Sequence, residues 1–157
     1  KNFSIKRKIV SKSFFDFERQ ESESTSEFEE IIQTIQNEFP AEKIYDEKEL
    51  QAQLTIFLKT KYPDSEVERE ISNNDGGFVD ILMDDKYAFE LKVPRSRTEL
   101  RNLRGQIEEY QEDYSNLCVV IFENEDYDIS EDIEKYVNIY HEKYDVPSVV
   151  LHGRKRK

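Results

Sequence analysis

The stretch from Gly76 to Val93, GGFVDILMDDKYAFELKV, leaves the backbone few choices. Two runs rich in Val, Ile, Phe and Tyr are interrupted by Asp84-Asp85-Lys86, which predicts two strands joined by a tight polar turn. Alternation puts Ala88, Glu90 and Lys92 on one face and Phe89, Leu91 and Val93 on the other. In an antiparallel pair, opposite residues point to the same side. A three-residue loop over 84–86 pairs Met83 with Tyr87 and Asp80 with Glu90. A two-residue loop would set Asp80 against Phe89 and part the two acids, so the turn length decides what chemistry the hairpin can carry.

Two carboxylates on one face repel. At about 4 Å and an effective dielectric of about 20, the repulsion is on the order of 4 kcal/mol. A divalent cation between them reverses that sign, and ligands that are all oxygen suit a hard ion such as magnesium or manganese. Lys92, two residues after Glu90, is then placed to orient a water or to stabilise charge on a phosphate. The same residues also fit the solvated outer face of a hairpin with an incidental Glu–Lys pair.

This D-x9-E-x-K pattern resembles the PD-(D/E)XK nuclease superfamily, which includes type II restriction endonucleases, archaeal Holliday-junction resolvases and RecB-like nuclease domains. Asp80 stands for the first Asp, preceded by Val79 rather than Pro, and Glu90-Leu91-Lys92 for the E-x-K element. The likeness runs from about Ile44 to Phe122. It implies a restriction-endonuclease-like core and magnesium- or manganese-dependent hydrolysis of phosphodiester bonds in DNA. Asp80 and Glu90 would hold the metal with help from the Leu91 carbonyl, and Lys92 would orient the attacking water. The alternative is a catalytically silent nuclease-fold module that serves nucleic-acid binding or assembly.

Members of the superfamily often carry a glutamate on the helix before the hairpin, where Asp46, Glu47 and Glu49 compete. With Leu50 at 0° and about 100° per residue, Glu47 falls at about 60°, within the stripe of Leu50, Leu54, Phe57 and Leu58, and Glu49 at about −100°. Asp46, at about −40°, is on the edge of the stripe with a shorter reach. A carboxylate on a core-facing stripe is costly unless paired, which favours Glu47. The spacing of Glu47 to Leu50 and Leu54 also resembles that in archaeal Holliday-junction resolvases. After the E-x-K strand, Thr98 or Ser96 can cap a helix whose apolar stripe is Leu100, Leu103, Ile107, Tyr110 and Tyr114. GQIEEY in it resembles the family's polar helix residue and assigns a catalytic part to Gln106; Arg101 and Arg104 flank the same stripe as expected nucleic-acid contacts. Gly76 and Gly77 could let a phosphate backbone approach, although such glycines more often serve positive φ alone.

Coarser features frame these motifs. Helix patterns over about 26–39, 45–60 and 98–114, and one that starts within the acidic stretch 123–132 and runs to about 144, alternate with strands at 66–71, 78–83, 87–93, 117–122 and 148–151. That order predicts an α/β fold with a central mixed sheet flanked by helices. Residues 1–40 read as an N-terminal arm and helical extension, and 41–157 as the nuclease-like domain. The arm is basic (Lys1, Lys6, Arg7, Lys8, Lys12) and is followed by an aromatic patch of Phe14, Phe15 and Phe17. The basic tail GRKRK is either a phosphate contact or merely soluble. Lys1 as the first residue is what a fragment of a longer protein would show.

Charge is the main counterweight. The formal net charge is −12 with 37% charged residues, and phosphate affinity comes chiefly from Lys and Arg. Binding of DNA, the expected partner, must therefore draw on local patches, a metal, a second copy or a larger protein. The single cysteine, Cys118, sits in the apolar run LCVVIF and reads as a buried thiol; it excludes an internal disulfide and a cysteine zinc site. No run is long enough to span a membrane and no signal peptide is seen, so a cytoplasmic setting is expected.

Overall fold

The computed structural model describes residues 26–72 and 78–153. The basic arm, the aromatic patch, Gly76, Gly77 and the GRKRK tail lie outside the described residues. The chain divides into two compact units, Lys1–Thr34 and Ile35–Lys157. Helix α1 (26–38) crosses that boundary.

Within the second unit the order is α2 (Glu47–Lys61), β1 (Val67–Ser72), β2 (Phe78–Met83), β3 (Tyr87–Lys92), α3 (Arg97–Gln111), β4 (Asn116–Glu123), α4 (Ser130–Tyr144) and β5 (Ser148–His152). One mixed sheet runs in the order β1-β2-β3-β4-β5. The first three strands are antiparallel and β3, β4 and β5 are parallel. The fold is thus α/β, as the alternating patterns predict.

Both parallel connections are made by helices, and α3 and α4 share one buried face of the sheet. Leu100, Leu103, Ile107 and Tyr110 of α3 and Ile133, Tyr136 and Tyr140 of α4 pack there with Ala88, Leu117, Val119 and Ile121. Helix α2 packs across β1, β2 and β3 and covers the other face with Leu50, Leu54 and Leu58, all fully buried. Strand β4 is buried on both faces, as its unbroken apolar run requires, and Cys118 is buried within it. The free edge of β5 is blunted by Gln36, whose side-chain amide donates to the Val150 carbonyl and accepts from its N–H at 3.0 and 3.3 Å.

Helix starts follow from local chemistry. Asp46 caps α2 by accepting from the Glu49 N–H at 2.9 Å, and Glu49 reaches back to the Tyr45 N–H at 2.6 Å, close to a capping box. Ser96, rather than Thr98, caps α3. That helix ends at Gln111, three residues before the expected Tyr114. Helix α4 ends with Asp145 in the left-handed region, φ 55°.

The hairpin turn is the three residues 84–86, and β2 pairs with β3 as Met83↔Tyr87, Leu82↔Ala88 and Ile81↔Phe89. Asp84 and Asp85 both take positive φ, 53° and 57°, which short polar side chains tolerate. The Asp84 carboxylate is pinned by the Ser65 hydroxyl at 2.8 Å and the Glu66 N–H at 2.9 Å. Continued by one residue, this register sets Asp80 opposite Glu90.

Candidate active site at a fork between two strands

Strand β2 leaves its ladder at Asp80. On the β1 side the pairs Arg69↔Ile81 and Ile71↔Val79 are in one continuous register, but Glu70 and Asp80 between them fall in a gap. Glu70 has φ 54°, uncommon for a residue with a Cβ and no glycine's freedom. Alternation breaks there too: Val79 and Leu82, three apart, both join the core cluster beneath α3 and α4. Regular pleating would send them to opposite faces.

The backbone groups freed by this break are taken by side chains. Asp84 N–H donates to the Glu66 carbonyl, so in an antiparallel ladder the Asp80 carbonyl also faces β1. Its hydrogen bond comes from Gln51 Nε2 of α2 at 2.9 Å, and the Gln51 side chain belongs to a residue only 8% exposed. On the β3 side, Leu91 N–H should meet the Val79 carbonyl; it donates instead to Asp80 Oδ2 at 2.7 Å. Val93 N–H, the next donor on that edge, is taken by Glu47 Oε2 at 2.6 Å. Strands β2 and β3 therefore splay into a fork, with Asp80 and Glu47 along its inner edge.

Glu90 lies at this fork. The residue is 4% exposed, and its Oε1 has no hydrogen-bond partner among the described residues. Its carboxyl is pushed up to about 9, by burial first and then by the charge and hydrogen bond of Asp80; Lys92 opposes the rise and Glu47 adds to it. The Asp80 carboxyl is also raised, by burial above all. The Leu91 N–H, the Glu90 contact and Lys92 partly restore its charged form, and Glu70 works against it. A buried acid and a half-buried one that act on each other this strongly must share a proton or a cation.

Asp80, Lys92 and Glu47 are thus brought within electrostatic reach of Glu90, and Leu91 supplies backbone on the edge that faces Asp80. The three acids at the start of α2 divide the work between them. Asp46 and Glu49 cap the helix, and Glu47 turns to the sheet. Gln106 is half-buried on α3. One turn on, Tyr110 donates its hydroxyl to the Phe78 carbonyl at 2.6 Å, and the charges of Glu90 and Asp80 help hold that phenol above its ordinary range, after burial.

Arg101 and Arg104 are not drawn to the carboxylates. Arg104 Nε donates to the Tyr144 hydroxyl at 3.4 Å, so it belongs to the seam between α3 and α4, and Arg101 is exposed on α3. Three residues of the fork carry no signal in the hairpin motif: Gln51, Glu70 and Tyr110. Gln51 alone had a readable clue, since it lies one turn after Glu47 on the same helix face.

No match is found to any family model, curated protein or solved structure. What the fork can do has to come from its own chemistry. Among the described residues no three His, Cys, Asp or Glu side chains form a ready-made metal cage. Asp80 and Glu90 are a pair, and magnesium, which keeps several waters, takes one or two carboxylates. The unpartnered Glu90 oxygen fits that demand. A cavity of about 390 Å³ beyond the end of β4 is lined by Lys43, Tyr45, Phe122, Glu123, Glu125 and Asp126 among others; its acidic wall makes it a poor seat for a phosphate. No helix among the described residues is long and apolar enough to cross a membrane.

Proposed function

We propose that the chain is a metal-dependent nuclease of the PD-(D/E)XK type, with a restriction-endonuclease-like core, that hydrolyses phosphodiester bonds in DNA. The observation that carries this is Glu90: a carboxylate 4% exposed, with one oxygen unpartnered, beside a second, half-buried acid, Asp80. Such an acid pair is unstable as two anions and becomes favourable around a cation.

Asp80 and Glu90 would hold magnesium or manganese, with the Leu91 carbonyl on the same edge. When bound, the ion supplies positive charge that neutralises the pair and stabilises the charge that builds on the phosphate oxygens. Lys92, half-buried beside both acids, orients the attacking water and holds its proton donors away from the phosphate. Glu47 keeps the end of β3 in place through Val93, and its charge acts on Glu90. Gln106 stands one turn from Tyr110, where it can reach a bound strand.

The test is cleavage of a panel of labelled DNA structures in magnesium, together with the thermal melting shift that magnesium gives. Wild type should cut at least one DNA and should melt higher in magnesium than in chelator. Asp80→Asn should abolish both effects. Wild-type cleavage by Asp80→Asn would show the site to be misassigned. A melting shift with no cleavage of any substrate would point to the silent module.

A further inference from the structure

We infer that the substrate enters this site single-stranded, with an unpaired base stacked on the ring of Phe78. This rests on the nuclease reading and adds the substrate class to it.

Among the described residues three large apolar side chains are exposed: Tyr45 at 60%, Ile56 at 67% and Phe78 at 56%. Two of the three stand two positions before a carboxylate of the fork, Phe78 before Asp80 and Tyr45 before Glu47. Two residues of strand span about 7 Å, so the Phe78 ring lies within a nucleotide's reach of the acid pair. Its exposure follows from the break in alternation. Val79 is turned into the core beneath α3, which sends the neighbouring Phe78 outward. The backbone under it is fixed, because the Tyr110 hydroxyl from α3 is bonded to the Phe78 carbonyl. The ring is therefore an exposed aromatic surface on a rigid mount at the mouth of the fork.

Charge selects the occupant. Duplex binding draws mainly on phosphate neutralisation, and a net charge of −12 offers little of that. On α3, Arg97 is held by Asp132 and Tyr136 and Arg104 by Tyr144, all on α4. Stacking on an aromatic ring does not depend on net charge and needs only a base with a free face. Paired bases in a duplex present no such face; an unpaired strand does.

The chain has no tryptophan, so Phe78→Trp installs a single fluorophore at the platform. It is placed in the Asp80→Asn background to prevent cutting, and Ile56→Trp in the same background serves as an exposed apolar control. Each is titrated in magnesium with oligo-dT and with a duplex of equal length. The expected result for Phe78→Trp is saturable quenching of the indole by oligo-dT, at least about tenfold weaker with duplex. The Ile56→Trp control should show no saturable quenching. In the cutting chain, Phe78→Ala should raise KM for single strands about 5- to 150-fold, and Phe78→Tyr should restore it. Equal quenching of Phe78→Trp by duplex, equal quenching of both variants, or no binding of either oligonucleotide overturns the inference. Wild-type cutting of duplex, with the Phe78→Trp fluorescence unmoved, also overturns it but leaves the nuclease reading standing.

Discussion

Glu90→Gln should make the metal-free protein more stable at neutral pH, against the usual result of altering a buried polar residue. In the folded chain the Glu90 carboxyl is pushed up to about 9 from an ordinary 4.5, by burial and by Asp80. The folded state thus keeps a proton that the unfolded state releases. A group with a raised folded pKa gives stability that is full below pH 4.5 and is lost as pH rises toward 9. Between pH 4.5 and 7 that loss is roughly 3 kcal/mol, at 1.36 kcal/mol per pH unit over this group's window. Glutamine has no proton to lose and escapes it. Its amide nitrogen needs an acceptor, which Asp80 can supply; an imperfect bond would return about 1 kcal/mol. The net gain at pH 7 is about 2 kcal/mol, or a rise in Tm of about 4–8 °C for a chain of this size. Urea and thermal unfolding in chelator at pH 4, 7 and 8.5 measure it. At pH 4, where the wild-type Glu90 is largely protonated in both states, only the imperfect amide bond remains and the variant should be about 1 kcal/mol less stable than wild type. In magnesium the gap should close or invert, since only wild type gains from binding the ion. A variant less stable than wild type at pH 7, or a difference of equal size at pH 4 and 8.5, refutes the reasoning.

Helix α2 offers two further tests. Glu47→Gln should cut magnesium-dependent cleavage at least about tenfold with little change in stability, whereas Glu49→Gln should cost about 0.5–1 kcal/mol through the weakened cap and leave cleavage near wild type; loss of activity in the second variant alone reverses the assignment. Gln51→Leu removes the donor to the Asp80 carbonyl and should cost about 1–3 kcal/mol in urea unfolding while weakening magnesium binding by calorimetry. If both quantities stay at wild type, Gln51 does not hold the fork.

The parts of the site legible in the sequence are those fixed by a period. A strand repeats every two residues, so the length of the turn at Asp84-Asp85-Lys86 was enough to bring Asp80 opposite Glu90. A helix advances by about 100° per residue, which separated Glu47 from Glu49, and the structure spends Glu49 on the cap. The break at Asp80 has no period to betray it. In FVDILM both phases of the alternation are apolar, so nothing marks where Val79 and Leu82 come to share a face, and Glu70 is not a residue whose type announces a positive φ. Tyr110 read as one more apolar position on the α3 stripe; its hydroxyl found a partner only when Phe78 was set beside it. The arginines Arg101 and Arg104 were legible as charges but not as to direction. Arg104 takes its direction from Tyr144 on α4, whose hydroxyl accepts from its Nε.

The fork also shows why the unpartnered atom at Glu90 is informative. Splaying two strands frees backbone donors and acceptors, and each one left bare in a buried setting costs about 1–3 kcal/mol. Here the Leu91 N–H goes to Asp80, the Val93 N–H to Glu47 and the Asp80 carbonyl to Gln51. Three side chains from two elements are committed to making the break tolerable. A fold that satisfies the fork so fully has the means to satisfy Glu90 as well, since an apolar residue in its place would need no partner at all. An acid kept there, one oxygen open and its pKa driven up by burial and by its neighbour, is destabilising as an anion and is relieved by a retained proton or, on the reading proposed above, by a cation.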